Sequence, residues 1–135
     1  MTDDLAVRTR SIGFWMAVLA ALYLLFSASR AAIAPVAFAH GLGLPLTDPA
    51  DDGFVFVYAT RSAAIGLVAL ALAWRRELSA LAVLVIVSAG IPVIDAVLIA
   101  SHHGGAGSAV QQAASSVYLV VTWYLLRLHI RRAAS

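Results

Sequence analysis

Two ionisable side chains stand inside apolar runs where nothing nearby in sequence explains them. Arg61 lies within Tyr58-Ala59-Thr60-Arg61-Ser62, inside the apolar run from Gly53 to Trp74. Asp95 lies within Ile91-Pro92-Val93-Ile94-Asp95, inside another run that ends near Ser101. A guanidinium at bilayer depth costs ~3 kcal/mol on insertion scales, so it should face a protein interior and a partner. A carboxylate beside a guanidinium can act as a proton donor or acceptor while the guanidinium holds or polarises an oxygen. Asp95 is the candidate acid or base, its acidity set by competing desolvation and arginine pairing. Arg61 is the candidate oxygen-holding group, and Tyr58, one helical turn before it, the candidate hydrogen-bond donor.

Helical spacing supplies further companions. Tyr23, Ser27 and Arg30 follow i, i+4, i+7, and Tyr58, Arg61 and Ser62 follow i, i+3, i+4. Ser88, Asp95 and His102 share a face. Gln111, Ser115, Tyr118 and Thr122 form a stripe with Gln112 and Ser116 beside it. Arg30, Ser62, Gln111, Gln112 and Ser115 are accordingly the candidate ligand-binding residues. Arg30 gives the set more cations than anions, which suits an anionic or oxygen-rich ligand. Its competing reading is a side chain that snorkels to the interface.

The elements that must position these residues follow from composition. The 135 residues are 62% hydrophobic and 12% charged, with a mean hydropathy of +0.92. A soluble domain averages roughly 25% charged residues, so this is a membrane protein whose first partner is the lipid bilayer. The expected fold is all-α: one transmembrane domain over residues 1–135, an up-down bundle with spans at about 12–30, 54–74, 78–101 and 110–128. Ala31 to Ala39 contains Pro35 and reads as a kinked continuation or a short interfacial turn of helix. His40 to Gly53 reads as a loop whose Asp48, Asp51 and Asp52 are solvated and also cap the second span. Gly90 and Pro92 predict a kink before Asp95. Trp15, Trp74 and Trp123 lie near span ends, as interface anchors do. The charged start and first apolar run also resemble a signal peptide, but the run is long for an h-region.

Seven of the nine arginines, at positions 8, 10, 75, 76, 127, 131 and 132, flank one side of this bundle. The positive-inside rule then places both termini in the cytoplasm of a cell whose inner membrane the chain crosses. The two exceptions are Arg30 and Arg61. By helical rise Arg61 lies ~12 Å below the outer end of its span and Asp95 ~9 Å below the outer end of its own, so both fall in the outer half.

Several chemistries are excluded. The chain has no cysteine, lysine or asparagine, which removes thiol nucleophiles, cysteine-ligated metals, disulfides and Schiff bases. No basic surface interleaved with aromatics suggests nucleic acid. His102 and His103, even with Asp51 or Asp52, give no fixed ligand geometry, so no metal site is expected. No histidine lies deep in a span for axial haem ligation, and no cofactor is expected.

The residues resemble a family. Arg30 to Pro35, Gly41-Leu42-Gly43-Leu44-Pro45, Ala59 to Gly66 around Arg61, Ile91 to Ala96 around Asp95, and His103-Gly104-Gly105 are similar to the DoxX-like, four-helix bacterial membrane proteins. The resemblance covers about Leu22 to Leu126. It implies the four-helix architecture and makes an arginine and an aspartate part of a common pattern. It also marks two departures: relatives carry Arg-Asp where this chain has Arg61-Ser62, and a histidine where it has Gln111-Gln112.

Two functional expectations follow. The first is a cofactor-independent acid/base enzyme acting on a lipophilic small molecule by isomerisation, cyclisation or epoxide opening. The second is a non-catalytic accessory, binding or transport module in which Arg61 and Asp95 form a structural pair. The small-residue face Ala59-Ala63-Gly66 permits close helix contact and is consistent with a homo-oligomer.

Overall fold

The computed structural model describes residues 11–48, 52–101 and 106–134. Arg8, Arg10, Asp51, His102 and His103 therefore lie outside the described residues. The described chain is all-helical: α1 (Ile12–Ile33), α2 (Pro35–Gly41), α3 (Gly53–Trp74), α4 (Leu78–Ser88), α5 (Gly90–Ser101) and α6 (Ala106–Ala134). Four spans are long and apolar enough to cross a membrane, the third comprising α4 and α5 together. The protein is a multi-pass integral membrane protein.

Local chemistry sets the helix ends. Ser11 caps α1, its hydroxyl accepting the Phe14 N–H at 3.4 Å. Ala34 leaves helical geometry (φ −138°, ψ 68°) because it precedes Pro35, which in turn suits the first position of α2. Asp52 occupies the N-cap position of α3, but its side chain makes no capping hydrogen bond, contrary to the expected role of the acidic loop. At the α3 to α4 turn, Glu77 N–H donates to the Leu72 carbonyl at 3.0 Å and Arg76 N–H to that of Ala73 at 3.0 Å. That double closure holds Arg76 at φ 58°, a left-handed geometry that costs a side-chain-bearing residue ~1–2 kcal/mol. Arg75 Nε donates to Glu77 Oε1 at 2.7 Å and clasps the turn.

The third span breaks at Ala89, where the kink was expected. Pro92 has no N–H to donate to the Ser88 carbonyl one turn before it, and beside this break the Ala89 carbonyl accepts the buried hydroxyl of Ser116 on α6 at 2.9 Å. The neighbouring span thus supplies a hydrogen bond to the backbone at the break.

α1 is central. It packs along α3 on one side and α6 on the other, while α4 and α5 pack on α6. α3 meets α4 beside their turn but makes almost no backbone contact with α5, so the bundle closes at one end and gapes at the other. The α1–α3 seam is built from small residues, and a Cβ at Gly66 would stand 3.0 Å from the Ala21 carbonyl oxygen. Lipid tails are as apolar as leucine, so this close approach, rather than burial from water, stabilises the seam. Ala59 and Gly66 are buried against α1 within the chain, which removes the dimer seam expected from that face.

Two apolar clusters hold the ends. Near the Arg75 turn, Phe14, Ala17, Ala21, Ala69, Leu81, Val85 and Leu126 pack together. Trp123 packs against this cluster, whereas Trp15 and Trp74 are 54% and 88% exposed. At the opposite end Ala28, Ala31, Phe38, Ala39, Val55 and Ala59 form the second cluster, with α2 folded over it.

Candidate functional site: a cavity between the two clusters

Between the clusters lies a cavity of about 660 Å³, bordered by all four spans and by α2. Its size falls within the range of small-molecule sites. Arg30, Tyr58, Arg61, Ser62, Asp95, Gln111, Gln112 and Ser115 all line it. Helical periodicity had placed these residues on separate stripes, and tertiary packing turns the stripes toward one another.

The pair at the gap is loose. Arg61 Nη2 lies 3.5 Å from Asp95 Oδ2, with the side chains 43% and 22% exposed. A charge-assisted N–H···O bond is normally 2.7–2.9 Å. Only one edge of the guanidinium is committed, and its remaining donors are available to another acceptor. The Arg61 guanidinium carbon also sits 5.5 Å from the centre of the Tyr58 ring, within cation–π range. That ring lies 5.2 Å from Phe38, which tilts over it from α2. Tyr58 is therefore fixed by its ring, while its hydroxyl lies 3.4 Å from Ser27 Oγ.

The same slackness recurs across the cavity. Gln111 Nε2 donates to Tyr23 Oη at 3.5 Å. Side chain to side chain contacts across the cavity thus lie at the long limit of hydrogen bonding, whereas side chain to carbonyl bonds between spans are shorter: Ser116 to the Ala89 carbonyl is 2.9 Å, and Tyr118 Oη, itself on the cavity wall, to the Met16 carbonyl is 2.9 Å. Ser62 is only 3% exposed and forms part of the wall. Arg30 is exposed at the mouth, with no acidic partner among the described residues.

Two members of the fourth-span stripe turn elsewhere. Thr122 is fully buried and donates to the Tyr118 carbonyl of its own helix, and Ser116 serves the α4–α5 break. Conversely, Phe38, Gly41 and Leu42 border the cavity although sequence reasoning assigned them no site role. The signal is Pro35 starting a short helix with an aromatic on its inner face, whereas the turn residues from His40 onward read as a loop. Among the described residues no three His, Asp or Glu side chains group as metal ligands.

Chemically, the cavity can accept an oxygen-bearing group at Arg61 and Arg30 and present a carboxylate and a phenol beside it. The profile of a family described as Domain of unknown function (DUF4267) matches residues 20–127. No curated protein and no solved structure matches the chain.

Proposed function

The chain belongs to the family described as Domain of unknown function (DUF4267), and on that premise we propose that its cavity binds and transforms a lipophilic small molecule by acid/base chemistry. Asp95 is the proton-transferring group. Arg61 and Arg30 hold an oxygen of the ligand, Tyr58 donates a hydrogen bond to it, and Ser62, Gln111, Gln112 and Ser115 orient the remainder. The compatible reactions move protons without a cofactor: isomerisation, cyclisation or epoxide opening. The chain is placed by the same reading among DoxX-like proteins, in the inner membrane with cytoplasmic termini, and self-association would use a face other than Ala59 and Gly66.

The observation that carries this reading is that Arg30, Tyr58, Arg61 and Asp95, from three different spans, border one cavity of about 660 Å³, with Arg61 held to Asp95 by a single contact at 3.5 Å. The test is native mass spectrometry of the purified protein, with thermal unfolding in the presence of lipophilic cell extracts. The expected result is a co-purifying small molecule that Asp95→Asn retains unaltered and wild type converts. A protein that carries nothing and whose unfolding no extract shifts would overturn the proposal.

One observation favours a non-catalytic alternative. Arg61 and Asp95 span the place where α3 and α5 otherwise barely touch, which is where a structural strut would be useful. Under that reading Arg61→Gln and Asp95→Asn both reduce stability and no molecule is converted.

A further inference from the structure

We propose that the cavity's ligand is a single-tailed amphiphile with one anionic head, held by Arg30 and Arg61, its apolar tail running toward the Arg75 end of the bundle. This rests on the ligand-binding half of the proposed function and is independent of whether Asp95 does chemistry.

Charge selects the head. The cavity wall carries two guanidinium groups and one carboxylate. Asp95 is matched by Arg61 at 3.5 Å, so Arg30 leaves one positive charge in excess. Arg30 is exposed near the end of α1 and keeps its charge, so a ligand bearing one negative charge is attracted to it. Arginine donates and never accepts, so a cationic head would meet repulsion at both groups. Arg61 has donors left over because its bond to Asp95 is long and single.

Polarity along the cavity selects the tail. On α1 the wall passes from Arg30 and Ser27 to Ala20 and Ala17, over about 20 Å at helical rise. On α3 it passes from Arg61 to Ile65 and Ala69, and on α6 from Gln111 to Leu119. The spans thus change from polar to apolar in the same direction. The far end is lined mainly by alanines packed into the buried cluster, and Tyr118, the polar side chain there, already donates its hydroxyl to the Met16 carbonyl at 2.9 Å. A volume of about 660 Å³ suits one chain, whereas a two-chain glycerophospholipid fills far more.

The test is binding of hexadecanoate, hexadecanol, hexadecylamine and dioleoylphosphatidylglycerol to the full chain in nonionic detergent at neutral pH, read by native mass spectrometry and thermal unfolding. Hexadecanoate is expected to bind about tenfold more tightly than hexadecanol, as one charge-assisted hydrogen bond allows, with hexadecylamine weakest and the phospholipid unable to displace it. Arg30→Gln should erase the preference for the carboxylate, weakening hexadecanoate binding more than hexadecanol binding. Since Arg30 is exposed and has no acidic partner among the described residues, this variant should fold. Asp95→Asn releases Arg61 and should tighten hexadecanoate binding several-fold. Equal binding of amine and carboxylate, an unaltered preference in Arg30→Gln, or preferential binding of the phospholipid would each overturn the inference. If hexadecanol binds and hexadecanoate gains nothing, the anionic head is wrong but the cavity remains a ligand site. If no chain binds, the inference fails, and the co-purified molecule alone decides the proposed function.

Discussion

Arg61 Nη2 and Asp95 Oδ2 stand 3.5 Å apart across a gap that the backbones of α3 and α5 leave open. The pair is the main polar link on that side of the bundle, and it is slack. Its partial exposure and long separation argue that it contributes modestly to stability, since exposed or imperfect pairs are worth ~0–1 kcal/mol. Losing one partner is different, because the other is then left alone within a span.

Arg61→Gln alone should therefore lower stability by about 1–2 kcal/mol, discounted from the fully buried case because both side chains are partly exposed. Arg61→Gln with Asp95→Asn should recover at least half of that loss. Thermal unfolding of the three variants in one detergent measures the coupling. Strictly additive losses would show that the residues do not act as a pair.

The glycines rank by what a methyl group would meet. At Gly13 a Cβ would lie 2.8 Å from the Leu126 backbone nitrogen and 3.0 Å from the Leu125 Cβ; at Gly66, 3.0 Å from the Ala21 carbonyl oxygen; at Gly41, nothing within 4 Å. Gly13→Ala should push α1 from α6 and cost about 1–3 kcal/mol. Gly66→Ala should cost less, since the clash is milder and helix propensity offsets part of it by up to ~1 kcal/mol. Gly41→Ala should be neutral or slightly stabilising. Any other rank order in unfolding midpoints contradicts the packing.

Ser116→Ala should cost about 1 kcal/mol, because it removes the buried hydrogen bond to the Ala89 carbonyl at the break in the third span. The matched control is Ser108→Ala, whose contact to the Gly41 carbonyl is 3.4 Å and exposed, and which should change stability by less than ~0.5 kcal/mol. Equal effects would mean that the α4–α5 break does not depend on α6.

Because the chain lacks cysteine, topology can be read without first removing any. Thr47→Cys and Ala134→Cys, both at exposed positions, should react with an impermeant maleimide from opposite faces of the membrane, Ala134→Cys from the cytoplasm. Labelling of both from one face would refute the four-crossing arrangement, and the reverse assignment would refute the arginine-based orientation.

The four spans were legible because the requirement is one-dimensional: enough consecutive apolar residues to cross hydrocarbon. Their ends were less so. α1 runs on to Ile33, past Arg30, because Ala31 to Ile33 remain apolar until Ala34 meets Pro35. α6 starts at Ala106 and continues to Ala134, its arginine-rich end remaining helical beyond the apolar run. The stretch around Pro35 reads as a kinked continuation or a short turn of helix, and α2 is such a short helix, carrying Phe38 onto Tyr58.

The sequence by itself determined the membrane class, the four spans, the break near Pro92 and the polar stripe on each helix, since each depends only on local hydropathy, backbone chemistry or the helical period. Only the tertiary structure decided which stripes face one another, that Ser116 and Thr122 turn to the scaffold, that the Ala59 and Gly66 face is used within the chain, and that Arg61 meets Asp95 loosely. The period of a helix fixes which residues share a face. How that face is rotated about the bundle axis depends on the shapes of two surfaces packed together, and no single stretch of sequence contains both.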